Sequence, residues 1–252
     1  MVNKSRFIEM GMPVIFGLFA FGYFPFSKED SSALNKKIEV ENHPPVVKII
    51  SPQNNSSYGL NSVVSYEISV SDKEDGESKF GDINPKEIFL EIKYVKDTNN
   101  LIAETRSRMG DDAPALATIK HTNCMNCHSF KTKLIGPSFY EITSRYAGLA
   151  HIQDTLADHI LKGSKGRWGE VQMPSNNQLN SSQALEVIQW LFNNTADSTT
   201  DYIAGAEGSF RLSPPAACKD ALLVATYTDH GSEGGPTAKG LKGEDVVLIH
   251  IK

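Results

Sequence analysis

The most specific chemistry in this chain sits in Cys124-Met-Asn-Cys127-His128, a C-x-x-C-H motif. Two thiols three positions apart on one helical turn can each add to one of two neighbouring vinyl groups of a haem. The adjacent imidazole is then held under the iron. The same five residues could also serve as a redox dithiol or as half of a zinc site. The dithiol reading asks for a thioredoxin-like βαβ context, which the sequence lacks. The zinc reading asks for two further ligands nearby, for which His151 or His159 could be proposed, but no second cysteine pair exists. Haem attachment carries its own requirement. It takes place outside the cytoplasm, so such a chain should hold an export signal.

The N-terminus supplies one independently. Lys4 and Arg6 precede an apolar run from Met10 to Phe26, and polar Ser27-Lys-Glu-Asp30 follows. A positive start and a short apolar core read as a secretion signal. The run also reaches the short limit of the roughly 17–25 residues that span a bilayer, and no Ala-x-Ala cleavage site is evident. Residues 1–26 are therefore expected to be a signal peptide or an N-terminal membrane anchor, with a linker over 27–43. The expected location is periplasmic or cell-surface. A membrane is a partner only through the N-terminal segment, if it stays uncleaved. A net charge of −5 excludes a nucleic-acid footprint. Three cysteines are too few for a disulfide scaffold, and Cys218 reads as a small semi-buried hydrophobe.

Downstream of the motif come Ile135-Gly136-Pro137-Ser138, then Gly163-Ser-Lys-Gly-Arg-Trp168-Gly-Glu-Val-Gln-Met173-Pro174, then a helical stretch with Trp190. Together with C-x-x-C-H, these segments resemble the class I cytochrome c family, especially its small monohaem bacterial members, over residues 104–197. The resemblance implies one covalent haem c on Cys124 and Cys127, with His128 and Met173 as the two axial iron ligands. It implies that the Gly136-Pro137 pair lies against the histidine, whose imidazole the Pro137 carbonyl fixes, and that Trp168 faces a haem propionate. The family's usual glycine–aromatic pair early in the first helix is missing. Leu116 and Ala117 occupy that region, so this contact is not carried over. His151 and His159 stay open as replacements for Met173. Met109 precedes the motif and Met125 lies inside it, so both are poor competitors.

Helical patterns cover 112–127 (Asp112 as cap, Pro114 in the first turn), 137–146, 149–162, and a stretch starting at Ser181 or Ser182. On either side lie β-branched, alternating runs: Val46–Ile50, Val63–Val70 and Glu87–Val95 before, Gly208–Leu212, Ala221–Thr228 and Asp245–Ile251 after. The blocks 44–96 and 203–252 are each marginal as independent domains. Together they would make a seven-strand sandwich, resembling the two halves of an immunoglobulin-like exported module. The expected fold is thus α+β and multidomain: an all-α cytochrome c domain, 104–197, inserted in or flanked by an immunoglobulin-like β-sandwich. Shared packing of the 63–70 and 221–228 strands would support insertion over three units in a row.

Two filled axial positions leave no place for oxygen or substrate, so the chain is expected to carry electrons and not to be an enzyme, with no catalytic residue. Its partner would be a redox protein such as an exported dehydrogenase, which it could serve as electron-accepting subunit, or an oxidase. A second reading is a haem-based sensor, or a carbohydrate- or protein-binding module with a redox haem. Leu134, Ile135, Tyr140, Ile152, Leu156, Ile160 and Val171 are expected to wall the haem, and Arg145 and Tyr146 either to reach a propionate or, as the favoured reading, to face solvent. Lys131, Lys133, Lys162, Lys165 and Arg167 flank loops expected to rim its edge, where they would dock an acidic partner or offset the propionates. Asp72, Glu74, Asp75 and Asp229 are either acidic turns or calcium ligands.

Overall fold

The computed structural model describes residues 41–96, 112–122, 124–231 and 240–252. The expected signal or anchor over 1–26, the linker up to residue 40, Met109 and most of the Gly231–Gly243 loop lie outside the described residues.

Five strands precede the helices: β1 (Val46–Ser51), β2 (Ser56–Tyr58), β3 (Val63–Asp72), β4 (Gly76–Glu77) and β5 (Phe89–Val95). Four follow them: β6 (Thr200–Ala204), β7 (Glu207–Arg211), β8 (Asp220–Thr228) and β9 (Lys242–Ile251). The seven expected strands are thus nine among the described residues. The additional ones include β2 and β4, which at two or three residues are too short for alternation to reveal. Along β3, Val64, Tyr66, Ile68 and Val70 are buried while Val63, Ser65 and Glu67 are exposed, the period-two pattern of a strand with one wet face. β5 and β8 are buried more continuously, because they carry a layer on each side.

The strands form two sheets. In the four-stranded sheet β3 pairs with β1, β4 and β7, and the five-stranded sheet runs β2-β9-β8-β5-β6. Among the described residues, only β2 and β9 pair in parallel and the other strand pairs are antiparallel. Several pairings reach across the helical segment: Val64 faces Phe210, and Ile92 faces Asp201 on one side and Leu223 on the other. Val64, Ile68 and Val70 of β3 share a single buried cluster with Leu223, Ala225 and Tyr227 of β8.

Between β5 and β6 lie α1 (Pro114–Lys120), α2 (Cys124–Cys127), α3 (Phe139–Tyr146), α4 (Ile152–Lys162) and α5 (Ser181–Asn194). The single helix expected over 112–127 is broken after Lys120. The Thr122 hydroxyl donates back to the Ile119 carbonyl and contacts Cys124 Sγ at 3.0 Å, a local bond that competes with helix continuation. α3 starts two residues later than expected, where Ser138 and Glu141 form a capping box. α4 starts at Ile152, leaving Leu149 exposed outside it. Asn180, and not Ser181 or Ser182, caps α5. The helices pack Ile119, Phe139, Leu156, Ile160, Ile188 and Leu191 into a second core, which Phe89 of β5 and Ala204 of β6 complete from the sheet side.

Both crossings between helices and sheet are fastened by polar groups. Asp112, expected as a helix cap, instead accepts from the buried Lys120 ammonium at 2.7 Å. Lys120 also donates to Thr226 Oγ1 at 2.8 Å and lies 5.2 Å from the Phe89 ring centre. A cation so far from water persists because each donor direction finds an acceptor or a ring face. At the exit, Lys93 Nζ donates to Asp197 Oδ2, Thr199 Oγ1 and Thr200 Oγ1 at 3.1, 2.9 and 2.6 Å.

This exit knot gives a pH signature. Partial burial pushes the Asp197 carboxyl upward, but bonds from Thr199, Thr200 and Lys93 outweigh it and hold the group well below the ordinary carboxylate range. A carboxyl depressed in the folded state stabilises the fold above its unfolded value of about 3.9 and loses that contribution as the pH falls below it. Asp197→Ala is therefore expected to lower the urea midpoint at pH 7, with the gap to the parent narrowing as the pH drops below about 4. A gap independent of pH would show that the ionised carboxylate contributes nothing.

Candidate functional site

Cys124 and Cys127 lie on the single turn of α2, and the His128 amide continues that turn by donating to the Cys124 carbonyl at 3.0 Å. The chain then loops and returns, with the Gly136 amide donating to the Cys127 carbonyl at 2.8 Å. That return sets the Pro137 carbonyl 2.6 Å from His128 Nδ1. A carbonyl only accepts, so Nδ1 carries the proton and the Nε2 lone pair is left for a metal. Burial pushes His128 below its ordinary value, which favours the neutral, ligating form. Phe139 stacks on the imidazole at 5.3 Å and 19°. Gly136 allows the close pass: a Cβ there would come within 2.8 Å of His128 Cε1. The Ser138 capping box follows at once, so the start of α3 fixes the peptide that carries the Pro137 carbonyl.

The thiols do not look like a redox dithiol. Burial pushes the Cys124 thiol up, against the lowered value that a reactive thiolate needs.

Met173 is held from the other strand of the loop. Its amide donates to the Ser164 carbonyl at 2.8 Å and its carbonyl accepts from the Ser164 amide at 3.1 Å. Gly163, at φ +79°, ends α4 beneath this bridge; a Cβ on it would meet the Met173 carbonyl oxygen at 2.7 Å. Three residues on, the Asn176 amide donates to the Ile160 carbonyl at 2.9 Å and ties the loop back to α4.

All seven expected site residues, Cys124, Cys127, His128, Gly136, Pro137, Trp168 and Met173, line one cleft. Its cavity volume is about 260 Å³, near the lower end of the roughly 300–1,000 Å³ of ordinary small-molecule sites. Leu156 and Ile160 of α4 and Val187, Ile188 and Leu191 of α5 form its aliphatic walls. Thiols, an imidazole and a thioether thus meet in one apolar slot whose mouth carries Lys133, Lys165 and Arg167. This donor set and shape fit a large flat apolar ring with a central metal and acidic substituents at its edge.

Several expectations need correction. Leu134 and Tyr140 are exposed and outside the cleft, and Ile152 lies with Leu149 and His151 in a separate surface pocket. That placement removes His151 as a competitor of Met173. His159 does line the cleft; burial, then the Arg167 charge, keeps it below its ordinary value. Met125 belongs to the core. Tyr146 is buried, not solvent-facing, and meets Trp168 edge to face at 6.2 Å. Arg145 stacks on the other ring system at 4.4 Å from the Trp168 centre and donates to the Arg167 carbonyl. Two of the five basic residues are engaged away from the cleft: Lys131 donates to the Asp197 carbonyl, and Lys162 pairs with Asp158.

Among the described residues, no three of His, Cys, Asp and Glu are placed together to hold a metal ion. The acidic residues take protein donors instead: Glu74 pairs with His43, and Asp75 with Tyr227 and His230. The sequence reading missed Gly163, Asn176 and the α5 wall. Glycine before the loop, and the Val187-Ile188-Leu191 spacing on an amphipathic helix, were the available signals.

The cytochrome c family model matches residues 116–195. Cytochrome c-551 of Azotobacter vinelandii is 43% identical over 72 residues, which cover 29% of this chain and 87% of that protein. Cytochrome c-552 of Hydrogenobacter thermophilus is 39% identical over 72 residues, covering 29% of this chain and 72% of that protein. Among solved structures, that of wild-type Nitrosomonas europaea cytochrome c552 is similar with 32% identity and a TM-score of 0.30, covering 31% of this chain and 96% of its own.

Proposed function

The chain belongs to the cytochrome c family and carries one covalent haem c as a monohaem electron carrier, and we propose that it is exported and passes single electrons between redox proteins with His128 and Met173 as iron ligands. When bound, the haem supplies the iron whose ferric–ferrous cycle is the chemistry. The protein's own residues do the rest. Cys124 and Cys127 hold the ring as thioethers. Pro137 orients the His128 imidazole and strengthens it as a donor. Met173 Sδ, a soft ligand, favours the ferrous state and raises the potential. The aliphatic walls exclude water, which limits reorganisation when the charge changes. Trp168, with Gly136 and Pro137, completes the proposed binding set, facing a propionate at the mouth. The observation that carries this reading is the convergence of both cysteines, His128 and Met173 on one apolar cleft.

The proposed location is periplasmic or cell-surface; among the described residues, no helix is long and apolar enough to cross a membrane. The proposed domain division is an immunoglobulin-like unit of 44–96 plus 203–252 around the helical unit of 104–197. The buried cluster shared by β3 and β8 supports it. The proposed partner is an exported dehydrogenase or an oxidase, docking at the cleft mouth against Lys133, Lys165 and Arg167.

The reading is tested by the reduced-minus-oxidised spectrum of exported protein. A far-red methionine–iron band and slow carbon monoxide uptake by the reduced form are expected; rapid, complete uptake would favour a sensor. Charge reversal at Lys133, Lys165 and Arg167 together is expected to slow transfer to an acidic partner at low salt by about tenfold or more and to flatten the salt dependence. Rates insensitive to salt in the parent protein would count against docking by charge.

A further inference from the structure

We propose that Tyr202, on β6 of the sheet, is a positioning residue for the imidazole of His128, acting through Phe130 and Phe139. The inference rests on the reading of His128 as an iron ligand. A continuous run of rings joins the two sites. His128 stacks on Phe139 at 5.3 Å, Phe139 meets Phe130 edge to face at 6.5 Å and 79°, and Phe130 meets Tyr202 edge to face at 4.9 Å and 75°. Trp190 of α5 closes the far end, 6.0 Å from Phe130 and 5.8 Å from Tyr202.

Each link has little freedom. Phe130 and Phe139 are almost wholly buried, and a core at crystal-like density passes a displacement of one ring to the next. Tilted and edge-to-face pairs hold their geometry because ring edges and faces attract. The anchor is external to the helices: the Tyr202 backbone is fixed by its register opposite Glu91 of β5, so the sheet determines where the ring stands. At the near end, the Pro137 carbonyl restrains only the Nδ1 edge of His128, and the stacked Phe139 ring restrains its plane. Groups that orient a ligand's plane tune the metal behind it. The sheet thus does more than bury the helices' outer face; it helps to set the orientation of the iron's imidazole.

The test uses full-length holoprotein with Tyr202→Leu, Tyr202→Phe and Phe130→Leu. The readouts are the ferric electron paramagnetic resonance g-values, the shifted proton signals of His128, and the equilibrium with a reference redox couple. Tyr202→Leu and Phe130→Leu are expected to move the g-values and the His128 signals, and to change that equilibrium by about threefold, near 28 mV at 59 mV per tenfold for one electron. Tyr202→Phe restores the parent values, because the ring is kept. Parent-like g-values, signals and equilibrium in either leucine variant, with only a lower melting temperature, would overturn the proposal. A parent protein without a histidine-ligated spectrum would instead sink the functional reading beneath it.

Discussion

Changing both Cys124 and Cys127 to serine is expected to give a polypeptide without attached pigment and without a folded helical unit. The walls of the cleft explain the second loss. Leu156, Ile160, Val187, Ile188 and Leu191 are buried side chains that line the slot, and with the ring gone the slot between them is left unfilled. An unfilled apolar cavity costs roughly 24 cal/mol per Å³. About 260 Å³ of it corresponds to on the order of 6 kcal/mol, comparable to the lower bound of a typical domain's whole stability. The sheet has its own core, built around Val64, Ile68, Leu90, Leu223 and Ile249, and does not depend on the cleft. The helical loss should therefore be selective. Far-UV circular dichroism would keep its strand signal and lose its helical signal, and limited proteolysis would cut within residues 112–197 first. Acidified-acetone extraction separates the two losses: the parent keeps its pigment on the polypeptide, a single serine variant keeps part of it, and the double variant keeps none. Full retention in the double variant would refute thioether attachment.

What the sequence revealed and what it hid follow from range. The cleft residues are legible because they come in short motifs: C-x-x-C-H fits one turn, Gly136-Pro137 is a single return of the chain, and Met173-Pro174 closes a glycine-rich loop. Strands such as β3 announce themselves by alternation. The break between α1 and α2 was hidden because it depends on a hydroxyl choosing a nearby carbonyl over the helix, a choice that apolar periodicity does not record. The misplaced Asp112 is a long-range failure. Its type suits a helix cap, but Lys120 lies buried beneath Thr226, and an unpaired cation there would cost far more than a weaker cap. Tyr202 was invisible for the same reason: nothing local in Thr-Asp-Tyr-Ile-Ala tells that its ring meets Phe130.

The Met173 side of the cleft depends on one missing methyl group. Gly163→Val is expected to abolish methionine ligation while leaving the haem attached. Two costs fall on that position. A β-branched residue at φ +79° is strained by roughly 1–3 kcal/mol. Its Cβ would also stand 2.7 Å from the Met173 carbonyl oxygen and 3.2 Å from the Ser175 amide, both backbone atoms that cannot rotate away. The paired bonds between Ser164 and Met173 must then open, and the sulfur leaves its place over the cleft. The far-red band should disappear, carbon monoxide should bind the reduced protein rapidly, and the potential should fall as the soft ligand is lost. Strain and collision are separable within the same loop. Gly166 has φ +82° but nothing within 4 Å of a Cβ, so Gly166→Val carries the strain alone. It is expected to lower the melting temperature by a few degrees and to keep the band. Loss of the band in both variants would place the cause in backbone strain alone; loss in neither would mean that the 163–173 bridge does not hold the sixth ligand.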